Sequence, residues 1–248
     1  MKLLAKELFS YIDLTTLNAT DSVYSVDKLI DFALDNETQG NAVAAICVFP
    51  NFGEHVVSRL TNSKIHTAVV AGGFPHGQTF TGLKQTEVQA AAQSGVDDID
   101  IVLNRGLFFG GDMEAAKHEI ILLKESSGRT KLKVILETGE LKTDENIRSA
   151  SALAISAGAD FIKTSTGKCE IGATFKAARI MCQEIRREFE ASGKKIGFKP
   201  SGGIRTFDDA ALYRDVVLAE LGEDWLTPDL FRIGASSLAG DLLKLINS

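Results

Sequence analysis

Two segments decide the fold of this chain: FIKTSTGK at residues 161–168 and GFKPSGG at residues 197–203. Each begins as an apolar strand, places one lysine near the end of that strand, and then breaks into small residues. Burying an ammonium group without a partner is unfavourable, so one lysine in such a place is already unusual. Two of them, Lys163 and Lys199, on consecutive strands indicate a lysine kept reactive by a second positive charge nearby.

Similar apolar runs recur along the whole chain. Their ranges are Tyr11–Leu14, Ala42–Phe49, Ile65–Ala71, Asp98–Leu103, Leu132–Glu137, Phe161–Lys163, Ile196–Lys199 and Phe231–Gly234. Successive runs lie roughly 30 residues apart, which is the size of a βαβ unit. Eight such units predict an α/β fold, a TIM (β/α)₈ barrel that forms a single domain over residues 1–248. A doubly wound sheet is the alternative, but no Gly-x-Gly-x-x-Gly follows the first strand.

The segments between the strands carry helical spacing of apolar residues. Val26–Leu34 follows Ser25, which we expect to cap the helix. Asp112–Lys124 and Phe175–Phe189 show the same spacing.

The bulk composition excludes several classes of protein. The net charge of -6 argues against a nucleic-acid partner, because such proteins normally present a basic face. Residues 1–7 show no long apolar segment typical of a signal peptide, and the sequence has no run of about 18 apolar residues, so we expect no membrane partner. Its three cysteines, Cys47, Cys169 and Cys182, lack framework spacing and predict reduced thiols in a cytoplasmic protein.

The barrel hypothesis places catalytic groups at the carboxyl ends of the strands. In the fourth strand, alternation turns Asp98, Asp100 and Asn104 toward the interior. A solvated edge strand is the alternative interpretation. A buried carboxylate needs a cation as partner, and the two lysines would supply it.

The two lysines should lie close together, because neighbouring strands are about 4.8 Å apart. With the ammonium groups roughly 6 Å apart, their repulsion is about 3 kcal/mol at an effective dielectric constant near 20. That corresponds to about two pKa units, so a lysine would become nucleophilic near neutrality. Gly197 would leave interior space beneath Lys199. The alternative is that both lysines form structural ion pairs or bind phosphate.

Small-residue loops follow the sixth, seventh and eighth strands, and they predict a phosphate site. Such loops offer backbone N–H groups and helix N-termini to an anion, although glycines in tight turns are the simpler explanation. The candidate phosphate-binding residues are Gly167, Lys168, Gly202, Gly203, Gly234, Ser236 and Ser237.

The sequence predicts neither a metal nor another cofactor. The four histidines show no clustered ligand spacing (His55, His66, His76 and His118). No histidine is placed to activate Cys47, so we interpret this cysteine as part of the pocket lining.

Taken together, these motifs resemble the deoxyribose-phosphate aldolase family of Schiff-base-forming (class I) enzymes. The resemblance covers nearly the whole chain. Its motifs are Asp13–Asn18, Val43–Pro50, Phe74–Gly77, Glu137–Leu141, Phe161–Lys168, Lys199–Arg205 and Gly234–Leu238.

The resemblance implies a TIM barrel that reversibly cleaves 2-deoxy-D-ribose 5-phosphate to acetaldehyde and glyceraldehyde 3-phosphate, in deoxyribose phosphate catabolism. It implies that Lys163 forms the Schiff base, that Lys199 makes this lysine less basic and transfers protons, and that Asp100 acts through water as acid and base. It also implies that Asp13 supports the lysines and that Cys47 is non-essential.

The resemblance further makes Thr166 a supporting residue and identifies the seven loop residues above as phosphate-binding positions. A homodimer is one assembly it allows. Some members end in a tyrosine-bearing extension, which Leu245–Ser248 does not match. We therefore expect proton exchange at the enamine carbon to depend on water, Asp100 and Lys199.

Two other functions stay open from the residues alone. One is a phosphate-binding isomerase that enolises its substrate through Glu137 or Asp100, without a covalent adduct. The other is a barrel that binds sugar phosphates without turnover.

Overall fold

Eight parallel strands form one sheet in the computed structural model, which describes residues 1–248. The strands are β1 (Ile12–Thr15), β2 (Ala45–Val48), β3 (His66–Val70), β4 (Asp98–Val102), β5 (Lys131–Ile135), β6 (Phe161–Lys163), β7 (Gly197–Lys199) and β8 (Ile233–Ala235). Each strand from β1 to β7 pairs with the next, and β8 pairs with β1. Backbone hydrogen bonds from Arg232 to Phe198 (3.1 Å) and from Gly234 to Pro200 (2.9 Å) close the barrel.

Helices connect the strands on the outside. They are α1 (Lys2–Ser10), α2 (Val23–Thr38), α3 (Gly53–Arg59), α4 (Thr81–Gln93), α5 (Arg105–Phe109), α6 (Met113–Ser126), α7 (Thr138–Leu141), α8 (Asp144–Ser156), α9 (Phe175–Ser192), α10 (Phe207–Leu221) and α11 (Leu238–Asn247). Two short 3₁₀ turns add Pro50–Phe52 and Glu223–Trp225. The predicted TIM barrel and all eight predicted strands are confirmed. No helix has the length and apolar character needed to cross a membrane.

The start of α2 differs from the prediction. Ser22, and not Ser25, is the N-cap: its side chain accepts a hydrogen bond from the Ser25 backbone N–H, at 3.4 Å. In return, the Ser25 hydroxyl accepts one from the Ser22 backbone N–H, at 2.8 Å. This reciprocal capping box satisfies two N–H groups and moves the helix start to Val23.

Two apolar regions hold the barrel together. The larger one is a cluster of 59 buried residues, packed mainly between the strands and the helices. A smaller cluster lies inside the barrel, on the β1 to β3 side, and contains Leu17, Ala45, Cys47, Ala68 and Val70. The small side chains of β2 and β3 leave room in the interior for the long charged side chains of the other strands.

The interior space expected beneath Lys199 is occupied. A Cβ atom at Gly197 would lie 2.3 Å from the ring atom Cε1 of Phe161, on the neighbouring strand β6. The prediction of an empty space is therefore wrong, because the aromatic ring of Phe161 fills it. Glycine is needed at this position so that the ring can lie against the backbone of β7.

We expect Gly197→Ala to destabilise the protein by about 1–3 kcal/mol, because the ring of a buried phenylalanine has to move. Gly82→Ala is the matched control, since a Cβ atom at this position, on the exposed start of α4, would have no other atom within 4 Å. The control should be neutral or stabilising by about 0.5–1 kcal/mol. Urea unfolding of both variants measures the difference, and equal stabilities would contradict the packing argument.

Candidate active site

Seven ionisable side chains lie inside the barrel, each with an exposed fraction of 3% or less. Three are carboxylates and four are cations: Asp13, Asp98, Asp100, Lys133, Lys163, Lys199 and Arg232. They come from β1, β4, β5, β6, β7 and the residue before β8. Buried charges of this kind are tolerated only when they are paired, and the distances between them show how the pairing is made.

Six of these groups form a closed ring of alternating charge, which we call the charge ring. In order, its members are Asp100, Lys199, Asp13, Arg232, Asp98 and Lys133. Along one half, the Lys199 ammonium contacts Asp13 and also lies 2.8 Å from Asp100 Oδ2. Asp13 Oδ1 then accepts a 2.8 Å hydrogen bond from Arg232 Nη1.

The other half of the charge ring returns from Arg232 to Asp100. Arg232 Nη1 lies 3.3 Å from Asp98 Oδ2, and Lys133 Nζ lies 3.0 Å from the same oxygen. Lys133 Nζ is also 3.3 Å from Asp100 Oδ1, which closes the ring. Each carboxylate in the ring therefore contacts two cations, and each cation contacts two carboxylates.

Lys163 is attached to the charge ring from outside. Its Nζ donates to Asp100 Oδ2 at 2.8 Å, and the same oxygen accepts from Lys199 at 2.8 Å. The two ammonium groups are therefore separated by at most twice that distance, in line with the spacing expected from adjacent strands. The structure thus brings together the three residues predicted to be catalytic.

Electrostatics favour the charged forms of Asp13, Asp100 and Lys199. Burial alone would raise the pKa of Asp100, but the ammonium groups of Lys163, Lys199 and Lys133 hold it well below its usual range. Burial alone would lower the pKa of Lys199, but Asp100 and Asp13 raise it well above its usual range. Asp13 likewise has a depressed pKa, because Lys199 and Arg232 outweigh its desolvation. Lys199 is therefore held as a cation.

A cavity of about 450 Å³ opens at the carboxyl ends of β1, β6, β7 and β8. Lys163 is the only one of the seven interior ionisable groups that lines it. All seven predicted phosphate-binding residues also line it: Gly167, Lys168, Gly202, Gly203, Gly234, Ser236 and Ser237. The cavity thus joins one interior amine to a rim of small-residue loops.

The rim of the cavity has a backbone conformation and a positive charge that suit the binding of an anion. Gly202 and Gly203 have φ angles of 86° and 87°, which an ordinary side chain would strain. Ser237 directly precedes α11, so the N-terminus of this helix borders the cavity. Arg205, which sequence reasoning missed, is an exposed cation that also lines the cavity. Its position directly after the glycine loop of β7 was the available signal.

Hydrogen bonds to Glu137, which follows β5, fix the position of Thr166 in the loop after β6. Glu137 is fully buried, and its carboxylate accepts hydrogen bonds from the Thr166 hydroxyl (2.5 Å) and backbone N–H (3.3 Å). Glu137 itself has a left-handed backbone, with φ of 58°. It therefore supports the loop that follows β6, and it does not line the cavity.

The structure adds two details on other predicted residues: the depth at which Cys47 is buried and the contact that the ammonium group of Lys168 makes. Cys47 has no exposed surface and lies within the small apolar cluster, deeper than the cavity lining in which it was predicted. Burial raises the pKa of its thiol. Lys168 directs its ammonium to the carbonyl of Leu17, at 2.5 Å, and so ties the β6 loop to the β1 loop. All three cysteines of the chain are unpaired.

Sequence reasoning also missed Lys133 and Arg232. Alternation was the available signal: Lys133 alternates with the apolar Leu132 and Val134 of β5, and Arg232 shares the parity of Gly234, which lines the cavity. Asp98 lies in the interior as expected, but its partners are Lys133 and Arg232 and not the two predicted lysines. No set of three or more His, Cys, Asp and Glu side chains is arranged to hold a metal ion.

Comparison with known proteins gives a consistent assignment. The model of the DeoC/LacD family aldolase matches residues 8–238. Deoxyribose-phosphate aldolases of Mus musculus and Homo sapiens are each 42% identical over 250 residues, covering 96% of this chain and 79% of theirs. The tetrameric deoxyribose phosphate aldolase of Aeropyrum pernix is similar in structure. It has a TM-score of 0.77 and 25% identity, with 98% of this chain and 92% of that chain covered. The chain therefore belongs to the DeoC/LacD family of aldolases.

Proposed function

We propose that this chain reversibly cleaves 2-deoxy-D-ribose 5-phosphate into acetaldehyde and D-glyceraldehyde 3-phosphate, through a Schiff base on Lys163. Its relatives carry the name of that activity. The observation that carries the proposal is the position of Lys163, the one interior cation that lines the cavity. The same cavity is bordered by the loops that suit a phosphate, so a single sugar phosphate can span both.

The reaction starts when the neutral amine of Lys163 attacks the C1 aldehyde of the open-chain sugar. Loss of water gives an iminium ion, which accepts an electron pair. Removal of the C3 hydroxyl proton then breaks the C2–C3 bond, and glyceraldehyde 3-phosphate leaves. The electron pair of that bond forms an enamine on Lys163. Protonation of the enamine carbon and hydrolysis of the resulting iminium release acetaldehyde and restore the amine.

Asp100 and Lys199 are the groups that move protons in this scheme. Asp100 Oδ2 accepts hydrogen bonds from both lysines, so it lies next to the Lys163 nitrogen, whose carbinolamine loses water and whose final iminium takes water up at carbon. Lys199 releases a proton through a water molecule and takes it back within the same turnover, so it is a cation between the catalytic steps. Positioned proton transfers of this type contribute about 10²–10⁴-fold in rate.

The phosphate loops contribute by orienting the substrate. Backbone N–H groups of Gly202 and Gly203 and the N-terminus of α11 border the far end of the cavity. Binding energy from this remote phosphate holds C1 and C3 near Lys163 and lowers the entropic part of the barrier.

Neither alternative function gains support from the geometry. An isomerase would use Glu137 or Asp100 as a base. Glu137, however, is hydrogen-bonded to Thr166 and does not line the cavity, and neither carboxylate would explain why the amine of Lys163 faces the cavity. A barrel that only binds sugar phosphates would not need a lysine that is hydrogen-bonded to Asp100 and lines the cavity. The isomerase alternative predicts activity that survives Lys163→Arg, whereas the proposal predicts that this variant is inactive.

We also propose the setting in which the enzyme works. It is a single catalytic domain over residues 1–248 that needs no cofactor and has no nucleic-acid or membrane partner. Its three unpaired cysteines suit a reducing cytoplasm. A homodimer is the assembly to test, and light scattering during size-exclusion chromatography measures the mass of the protein in solution directly.

Borohydride reduction in the presence of acetaldehyde should attach a two-carbon unit to Lys163, as read by peptide mapping. Lys163→Ala should abolish the adduct. Lys199→Leu should still form it, but at higher pH and more slowly, because a nearby positive charge is lost. An adduct on another lysine, or none in the unaltered protein, would overturn the mechanism.

Arg205→Gln should raise KM for 2-deoxy-D-ribose 5-phosphate about three- to tenfold, because a charged hydrogen-bond donor at the cavity rim is lost. Cleavage of 2-deoxyribose without phosphate should be unchanged. Arg129→Gln is the control, an exposed arginine just before β5 at the opposite end of the barrel. Equal effects on both sugars would mean that Arg205 does not contact the phosphate.

Activity should survive prolonged incubation with EDTA, because the proposed electron sink is the iminium ion and not a metal. The rate of cleavage before and after chelation is the measurement. Loss of activity that added Zn²⁺ restores would contradict the metal-free mechanism.

A further inference from the structure

We infer that Lys133 is a positioning residue that keeps Lys163 in its neutral, nucleophilic form, although Lys133 does not line the cavity. It acts from the far half of the charge ring, together with Asp98 and Arg232. This inference rests on the proposed function, in which Lys163 is the nucleophile. Lys133 would touch neither substrate nor reacting atoms, so its effect travels through Asp100.

The first step is the charge balance of the interior. The charge ring contains three carboxylates and three cations, so its charges cancel. A protonated Lys163 is therefore the single unbalanced charge inside the barrel. An excess of buried charge is unfavourable, and loss of the proton from Lys163 removes this excess and leaves the interior neutral.

Lys199 cannot produce this effect alone. Its ammonium contacts two carboxylates, Asp13 and Asp100, so its positive charge is already matched. Without another cation, Asp100 would hold the proton on Lys163, at 2.8 Å. Lys133 is the cation that faces the second oxygen of Asp100, Oδ1, at 3.3 Å. It therefore offsets the charge that would otherwise favour the ammonium form of Lys163.

Lys133 acts by charge more than by directed hydrogen bonding. It is fully buried and lies 3.0 Å from Asp98 Oδ2, yet its Nζ makes no hydrogen bond of good geometry. The ring of Phe161, with its centroid 5.6 Å from Nζ, separates it from solvent on the β6 side. Because Lys133 is fully buried, the loss of its charge would be only weakly screened by solvent.

The other charged and titratable groups around the site are few. Those that face Lys163 or the far half of the ring are Asp13, Asp98, Asp100, Lys199, Arg232, Cys47 and His66. His66 lies at the start of β3, with Nδ1 3.9 Å from Asp98 and 3.3 Å from Arg232 Nη2. If protonated, it would add positive charge and act in the same direction as Lys133.

The test compares Lys133→Met with the double variant Lys133→Met/Asp98→Asn. The readout is the midpoint pH for borohydride trapping of the acetaldehyde adduct. Loss of Lys133 alone leaves an excess negative charge and should raise this midpoint by about one to two pH units. The double variant removes one charge of each sign, so its midpoint should return to that of the unaltered protein.

Lys84→Met is the matched control. Lys84 is also fully buried and paired with a carboxylate, Glu119, but it lies outside the barrel, on α4. Its loss should lower stability without moving the midpoint, which separates a structural effect from a charge effect.

Two outcomes would overturn the inference: an unchanged midpoint in Lys133→Met, or a midpoint in the double variant as high as in the single one. If Lys133→Met does not fold, Asp98→Asn alone decides. Its midpoint should fall below that of the unaltered protein, and an unchanged or higher one refutes the inference. Absence of any adduct on Lys163 in the unaltered protein would instead refute the proposed function.

Discussion

The closed ring of six alternating charges inside the barrel is the constraint on which the rest of the structure depends. Removing one partner of a buried ion pair typically costs about 3–5 kcal/mol, because the remaining charge is left uncompensated. The contact between Asp13 and Arg232 joins β1 to the residue before β8, near the two ends of the chain. The contact between Lys133 and Asp100 joins β5 to β4. Barrel closure and strand register are therefore conditions for charge pairing as well as for apolar packing.

The ring also explains where the small residues occur. Small and medium-sized residues of β2 and β3 line one side of the interior, so the long side chains of the remaining strands can meet near its centre. Gly234 has a similar role on β8. A Cβ atom there would lie 2.8 Å from the Cβ of Ser201 and 3.3 Å from Cε of Lys199. Glycine at this position gives Lys199 room to contact Asp100 and at the same time borders the substrate cavity.

Most of the fold and the central part of the site follow from local pattern. The spacing of apolar runs predicted all eight strands, and alternation within β4, β6 and β7 predicted that Asp100, Lys163 and Lys199 would meet. The partners Lys133 and Arg232 were missed, because their roles depend on the register between neighbouring strands: β4 with β5 for Lys133, and β1 with β8 for Arg232. Two local details were also wrong, because another side chain decides each of them: Ser22 caps α2 in place of Ser25, and the ring of Phe161 lies against Gly197.

The central claim is that Lys163 is the nucleophile and that the paired charges of the charge ring lie beside it. Nitrogen-15 NMR of the lysine side chains, followed across pH, measures this directly once the Lys163 resonance has been assigned with Lys163→Ala. The account predicts that Lys163 is uncharged at the pH where adduct formation is fastest, while Lys133 and Lys199 remain protonated. A Lys163 that is still an ammonium at that pH, or a Lys199 that has lost its proton, would contradict the account.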